Sequence, residues 1–331
     1  MKKLLSILLG AFLLPISLKA SGVDSLYFDT RAAYNAEVTG QNYSGRFFGD
    51  HLNLHIYGTI ADNLRFRVRH RLNVAPAAVD PLRATDWLCL IWKPSEKLTV
   101  TAGKQAIFIG GYEYDSVPID VYFWSRFCNG LPQGFSTGIS ADYELASGQL
   151  LSVQVANTPL DFGFSDCFAY SLGWKGHILP HWSTIWTANM VEDPAHRFIG
   201  YLALGNHLVI DDVAIDLDLI DRAGFGQKDL LSDYSVISKV IWSVGKWNIC
   251  GKLGYEYNSK GNVDADGNAY DIAMPLGYSA FYGGSGLEYF PYGDNKLRLH
   301  AIWFNESTTH NNNFQVGVTW RFDVISKSAK R

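Results

Sequence analysis

The sequence has few charges, few cysteines and no long apolar run beyond its first 20 residues. Charged residues make up 18% of the 331 residues, below the roughly 25% of soluble domains. The lack of a run of about 18 apolar residues excludes a transmembrane helix there, and the missing heptad pattern excludes a coiled coil. Hydrophobic residues nevertheless reach 47% and aromatic residues 14%, which excludes a disordered chain. This combination favours strands with one apolar and one polar face.

The four cysteines do not show the spacing of a metal centre. Cys89, Cys128, Cys167 and Cys250 include no CxxC pair, so we expect no metal site and no cofactor. Either the cysteines act as small apolar residues, or, in an oxidising compartment, Cys128 and Cys167 form a disulfide. The formal net charge is −4, and nothing in the sequence indicates a nucleic-acid partner.

The first 20 residues have the pattern of an export signal. Lys2 and Lys3 precede an apolar stretch, residues 4–18, which is followed by Lys19 and Ala20. A stretch of about 15 residues is short for a membrane anchor, which needs roughly 20. We therefore expect residues 1–20 to be a signal peptide and residues 21–331 to form one exported domain.

Period-two alternation is the main structural signal in that domain. Near the C-terminal end, Phe314, Val316 and Val318 share one strand face, while Gln315 and Thr319 share the other. Similar segments predict sixteen strands, at residues 26–37, 46–60, 64–74, 85–93, 97–105, 133–145, 149–158, 167–175, 181–192, 197–206, 213–223, 234–243, 247–258, 278–290, 296–306 and 313–323.

The connections between these strands alternate in length. Tight turns, such as residues 61–63 and 244–246, follow the even-numbered predicted strands, whereas most odd-numbered strands precede longer links. Short periplasmic turns and longer outer loops are typical of outer-membrane barrels. A sheet in lipid must also close, because an open edge leaves backbone groups without hydrogen bonds. We therefore predict an all-β fold, a 16-stranded antiparallel transmembrane β-barrel in the outer membrane, rather than a soluble carbohydrate-binding sandwich.

One predicted strand, 64–74, carries a row of basic side chains on one face. An arginine that faces lipid near the membrane midplane costs about 2–4 kcal/mol, so we expect this face to line the lumen. The row consists of Arg65, Arg67, Arg69 and Arg71. It either binds anions such as phosphate or pairs with carboxylates of the wall and loops. Other charges expected in the lumen are Lys104, Asp216, Asp218, Lys252, Arg298 and Arg321.

The link at residues 106–132 is the longest and is rich in aromatic residues. We expect such an apolar link to fold inward and narrow the barrel. The expected constriction residues are Tyr112, Glu113, Tyr114, Asp115, Asp120 and Arg126. If its acids lie opposite the arginines of strand 64–74, they produce a transverse field that admits small dipolar solutes.

The motifs of this region resemble those of a known family. The stretches Gly103-Lys104-Gln105, Gly110-Gly111-Tyr112-Glu113-Tyr114-Asp115 and Pro118-Ile119-Asp120 resemble Bacteroidetes porins of the phosphate-selective porin O/P class. The resemblance implies a homotrimeric outer-membrane porin, in contact with outer-membrane lipid and lipopolysaccharide, and not an enzyme. Such a porin would pass small hydrophilic solutes by diffusion, with a preference for anions such as phosphate.

Two other functions stay open. A carbohydrate-selective porin would use the aromatic residues of the link, including Tyr122 and Trp124, to stack sugars, although these rings also suit anchoring the link to the wall. A barrel-type hydrolase would need a serine, a histidine and a carboxylate or carboxamide close together. His51, His55 and Ser183 are the residues available, and no GxSxG motif accompanies them.

Overall fold

The computed structural model describes residues 22–75, 80–162, 166–224, 231–270 and 273–326. Within these ranges sixteen strands form one antiparallel sheet, which closes by pairing its first strand with its last. The predicted 16-stranded antiparallel barrel is confirmed. The expected signal peptide lies outside the described residues. No helix in these ranges is long and apolar enough to cross a membrane.

The strands run almost without interruption along the chain. They are β1 (Gly22–Thr39), β2 (Asn42–Ala61), β3 (Leu64–Arg71), β4 (Thr85–Trp92), β5 (Leu98–Ala106), β6 (Phe135–Glu144), β7 (Leu150–Asn157), β8 (Phe168–Leu179), β9 (Trp182–Glu192), β10 (Phe198–Ile210), β11 (Val213–Gly224), β12 (Asp233–Val244), β13 (Trp247–Asn258), β14 (Ser279–Tyr289), β15 (Leu297–Glu306) and β16 (Asn312–Ser326). Helices α1 (Tyr112–Asp115) and α2 (Arg126–Gly130), with a 3-10 turn at Pro118–Asp120, lie between β5 and β6.

Alternating side chains give the sheet an apolar outer face and a polar inner face. In β7, Leu151, Val153 and Val155 are exposed, whereas Ser152 and Gln154 between them are buried. The same pattern recurs around the barrel, since exposed leucine, valine and aromatic side chains occur in most strands. A closed sheet with this exterior suits contact with acyl chains, because all ladder hydrogen bonds are satisfied internally.

Several hairpins are tighter than the sequence-based prediction: β8 and β10 extend to Leu179 and Ile210, beyond the predicted ends at 175 and 206. The first hairpin differs most. The pattern predicted a link at residues 38–45, but β1 and β2 are joined by Gly40 and Gln41 alone. Gly40 has φ of +59°, a conformation that glycine adopts without steric cost and that two-residue hairpins require. The last strand also extends to Ser326, because β1 begins early enough to place Ser25 opposite it.

The outer face can be tested on one strand. Leu202 and Ile210 are both exposed, at 47% and 52%, and they lie an even number of residues apart on β10. We expect Leu202→Arg, well inside the strand, to lower the free energy of unfolding by about 2–4 kcal/mol. Ile210→Arg, at the turn, should cost only about 0–1 kcal/mol because its guanidinium reaches the interface. Reversible denaturant unfolding in phospholipid vesicles measures both values, and equal costs would contradict the assigned lipid-facing surface.

Candidate functional site

The segment between β5 and β6, residues 107–134, reaches the opposite wall of the barrel. We call it the crossing segment. Its backbone and side chains bond to interior residues of distant strands, among them Asp218 of β11, Lys252 of β13 and Arg298 of β15. Because β5 and β6 lie across the barrel from these strands, we infer that the segment runs through the lumen.

The first anchor of the crossing segment is a buried carboxylate. The backbone N–H groups of Tyr112 and Glu113 donate to Oδ1 and Oδ2 of Asp218, each at 2.8 Å. Asp218 is only 1% exposed. A Cβ atom at Gly111, or at Gly205 on the neighbouring strand, would contact the Asp218 carboxylate. The two glycines therefore make the close approach between segment and wall possible.

Glu113 adds an ion pair next to this anchor. Its Oε2 lies 2.7 Å from Nζ of Lys252, and its Oε1 accepts a hydrogen bond from the Ser125 N–H at 2.7 Å. Lys252 also donates to the Phe123 carbonyl at 2.5 Å. Lys252 thus contacts the crossing segment twice, at Glu113 in α1 and at Phe123 shortly before α2. Truncating either charge would leave the other without its ionic partner, which is costly inside a protein.

The second anchor is a pair of arginines on β1 and β15. Arg31 donates through Nη1 to the carbonyls of Ile119 and Val121, each at 3.1 Å. Arg298 donates to the same Ile119 carbonyl at 3.1 Å and pairs with Asp120 at 2.8 Å. The ring of Tyr122 lies near both guanidinium groups, 5.1 Å and 5.6 Å from its centroid.

Two wall carboxylates balance these arginines. Asp50 pairs with Arg31 at 2.5 Å, and Glu288 pairs with Arg298 at 3.2 Å. Glu288 also accepts the Tyr122 hydroxyl at 2.6 Å. Arg31, Asp50 and Glu288 could not be singled out from the sequence, since each is one charge in an ordinary alternating strand. Their position on the polar face of their strands was the one available signal.

Apolar packing fills part of the lumen. Ile109 and Phe127 of the crossing segment are fully buried against interior residues of β7 to β12, including Val191 and Ile220. Met274, from the link between β13 and β14, joins the same cluster. The crossing segment therefore packs on that wall as it would in a protein core, and this packing adds to the polar anchors.

Two cavities flank the crossing segment. The first, of about 400 Å³, lies against β2 to β5 and is called here the basic chamber; the second, of about 350 Å³, lies against β11 to β15 and is called the acidic chamber. Ser116 lines both. The charges of the basic chamber are Asp50, Arg69, Arg71, Asp80, Arg83, Asp86 and Lys104. Those of the acidic chamber are Glu113, Asp120, Asp216, Asp218, Lys239, Lys252, Glu288 and Arg298.

The arginines of β3 occupy different environments. Arg69 and Arg71 both pair through Nε with Asp86, at 2.9 Å and 3.1 Å. The guanidinium of Arg67 stacks 3.8 Å from the centroid of the Trp87 ring. Arg65 is exposed beside the tight turn that precedes β3. Only Arg69 and Arg71 border the basic chamber, so the predicted row does not act as one continuous surface.

The acids of the crossing segment do not lie opposite these arginines. Glu113, Asp115 and Asp120 pair instead with Lys252, Lys175 and Arg298. The prediction of a transverse field between these acids and the arginines of β3 is therefore wrong, because other cations of the wall neutralise the acids.

The remaining predicted residues fix local structure. Three of them donate to backbone carbonyls: Tyr114 to Gly134 at 2.9 Å, Arg126 to Ala273 at 3.2 Å and Lys104 to Leu82 at 2.8 Å. Asp216 forms a hydrogen bond with His207 at 2.6 Å. Arg321 pairs with Asp323 at 3.2 Å.

The residues considered for a hydrolase do not come together. His51 and His55 belong to β2, where they bond Arg31 and Asp29. Ser183 belongs to β9 and lies 3.0 Å from Nδ1 of His177. Among the described contacts, His177 has no carboxylate partner. All four cysteines are free, so the disulfide between Cys128 and Cys167 is not formed.

Comparison with solved structures supports the fold. No protein-family model and no curated protein matches the sequence. The outer-membrane channel DcaP of Acinetobacter baumannii is 12% identical, with a TM-score of 0.63 over 92% of this chain and 97% of that one. The anion-selective porin of Comamonas acidovorans is 11% identical, with a TM-score of 0.62 over 92% and 100%. A trimer form of the outer-membrane protein OmpT of Vibrio cholerae is 12% identical, with a TM-score of 0.61 over 92% and 100%. At such identities the likeness establishes a shared barrel fold.

The Asp218 anchor generates a test. In Asp218→Asn one carboxylate oxygen becomes an amide that cannot accept a hydrogen bond. Because a hydrogen bond to a charged group contributes about 1.5–3 kcal/mol, we expect amide exchange to rise at least about tenfold at whichever of Tyr112 and Glu113 loses its acceptor. Hydrogen exchange followed by mass spectrometry measures this, with Asp216→Asn as the matched control. Unchanged exchange in a folded Asp218→Asn barrel would show that apolar packing alone holds the segment.

Proposed function

We propose that this chain is an outer-membrane porin, a water-filled channel for passive diffusion of small hydrophilic solutes. The observation that carries the proposal is the closed barrel with an apolar exterior and two charged chambers beside the crossing segment. Sixteen strands enclose a lumen wide enough for an aqueous channel. The solved structures with the same fold include proteins described as an outer-membrane channel and a porin, which is consistent with this function.

The proposal extends to cellular context. The chain would be exported by the N-terminal signal, inserted among outer-membrane lipid and lipopolysaccharide, and would have no catalytic activity. The motifs at residues 103–120 support a relationship to phosphate-selective porins of the O/P class.

A preference for small anions such as phosphate follows from the basic chamber. Arg69, Arg71, Arg83 and Lys104 face three carboxylates there, which leaves a positive excess. Arg71 is the arginine of β3 whose side chain keeps 38% exposure while it borders this chamber. Guanidinium groups bind phosphate and carboxylate in bidentate geometry. The acidic chamber carries the opposite excess, five acids to three bases, so we propose that selection takes place in the basic chamber and is moderate.

Planar-bilayer recording tests both channel and selectivity. We expect stepwise conductance and a reversal potential under a salt gradient that indicates anion preference. In water, a unit charge roughly 7 Å from a passing ion changes the energy of that ion by about 0.6 kcal/mol. Arg71→Gln should therefore reduce the ratio of anion to cation permeability several-fold. Arg65→Gln removes the same charge outside the basic chamber and should leave the ratio nearly unchanged.

The outcomes separate the parts of the proposal. An absence of conductance from the folded, inserted barrel would contradict the porin function itself. Cation preference, or equal shifts from Arg65→Gln and Arg71→Gln, would contradict anion selection in the basic chamber. A conductance that maltooligosaccharides block and phosphate does not affect would favour the carbohydrate-selective alternative.

We also propose that the protein is a homotrimer. An apolar groove of about 880 Å³ on the outer face is lined by small and aromatic residues of the β1, β2 and β14–β16 wall, including Ala32, Phe47, Leu299, Ala301 and Val316. The trimer form of the V. cholerae protein with the same fold supports this stoichiometry.

The groove suggests a variant for the trimer. Ala301→Trp would place a bulky ring in the groove and should dissociate the assembly, because the ring prevents close approach of a second wall. Light scattering of the protein in detergent measures the mass, with Leu202→Trp on the far wall as control. A monomeric mass for the unmodified protein would contradict the proposal.

A further inference from the structure

A group of metal-ligating side chains lies at the end of the barrel where β7–β8 and β9–β10 are linked. Asp166 and Cys167 precede β8, Glu192 ends β9, and His196 belongs to the next link. Within the described part of the chain, this is the one place where three or more such residues bring ligand atoms within 4.8 Å of one another, namely those of Asp166, Cys167 and His196. The group is separate from the crossing segment and its chambers.

The distance between Cys167 and His196 matches a tetrahedral metal site. Cys167 Sγ lies 3.7 Å from Nδ1 of His196. With Zn–S of about 2.3 Å and Zn–N of about 2.0–2.1 Å, tetrahedral zinc separates the two ligand atoms by about 3.6 Å. Oε1 of Glu192 lies 2.9 Å from the same Nδ1, a hydrogen-bond distance that holds the His196 ring next to the sulfur. A carboxylate oxygen of Asp166 lies 4.0 Å from Nε2 of the same ring.

The charges around this point favour a cation. Arg197, the next residue along the chain, is engaged by Asp193 and Asp264, at 2.6 Å and 2.5 Å. In the described contacts, Glu192 and Asp166 have His196 as their only basic partner.

We propose that Asp166, Cys167 and His196 bind a divalent metal ion of the zinc class, with Glu192 next to the His196 ring. Thiolate, imidazole and carboxylate are the donors that Zn²⁺ takes in proteins. Binding would displace the protons of the Cys167 thiol and the His196 ring, so the affinity rises with pH. The ion would join the two links across neighbouring hairpins. No sequence motif indicates this site, because Cys167 and His196 lie 29 residues apart.

Cobalt substitution tests the site directly. The detergent-solubilised protein, reduced and stripped of metal with a chelator, is titrated with Co²⁺. We expect one equivalent to produce the charge-transfer absorption of a cobalt–thiolate bond, and Zn²⁺ to abolish it. Cys167→Ser should remove the band. His196→Ala should weaken binding at least about tenfold, since even loss of an outer-sphere partner costs 10–100-fold.

Matched controls make the result decisive. Cys89→Ala removes a thiol buried in the barrel wall, and His310→Ala removes an exposed histidine of another link; both should bind Co²⁺ normally. Heat-modifiable migration in gels confirms that each variant is folded. A folded protein that shows no thiolate band, or a band that persists in Cys167→Ser, would overturn the proposal.

Discussion

A sheet whose outer face is apolar cannot leave backbone groups unpaired, because hydrocarbon offers them no hydrogen bonds. The pairing of β1 with β16, which runs from Ser25 and Ser326 to Val38 and Asn312, is therefore the constraint on which the rest of the structure depends. Closure fixes which side of each strand faces inward. It brings residues that are hundreds of positions apart, such as Arg31 and Arg298, into contact with the same carbonyl of Ile119.

Inside the closed sheet, the crossing segment is held by two kinds of interaction. Apolar packing of Ile109 and Phe127, together with the Asp218 anchor, fixes it to the β7–β12 wall. The buried charges of Arg31 and Arg298 fix it to β1 and β15. Buried ion pairs contribute little net stability but are costly to break singly. We interpret them as setting the position of the segment, and with it the shape of the two chambers, more than the stability of the barrel.

The barrel was predictable because alternation is local. Phe314, Val316 and Val318 specify a lipid-facing stripe without knowledge of their neighbours, and sixteen such segments imply closure. The β1–β2 hairpin was misjudged because polar residues such as Asn42 and Ser44 stay in strand when the ladder extends beyond the apolar stripe. A positive φ at Gly40 cannot be inferred from that pattern.

The lumen was predictable only in part. The interior face of Arg69 and Arg71 followed from alternation, but their shared partner Asp86 depends on the register between β3 and β4. In the same way, the pairing of Glu113 with Lys252 depends on where the crossing segment folds. Which charges pair depends on strand register and on the path of a loop, and therefore on residues far apart in the chain. Which face of a strand a residue occupies depends only on its neighbours in the sequence.

Passive diffusion requires a water path past the crossing segment, and Ser116, which lines both chambers, is the place to test it. A Ser116→Cys variant, in a chain whose four native cysteines are replaced by alanine, is recorded in planar bilayers while a charged, membrane-impermeant thiosulfonate is added. We expect a stepwise fall in conductance as each channel is modified. Complete modification, verified by mass spectrometry, with unchanged conductance would contradict it.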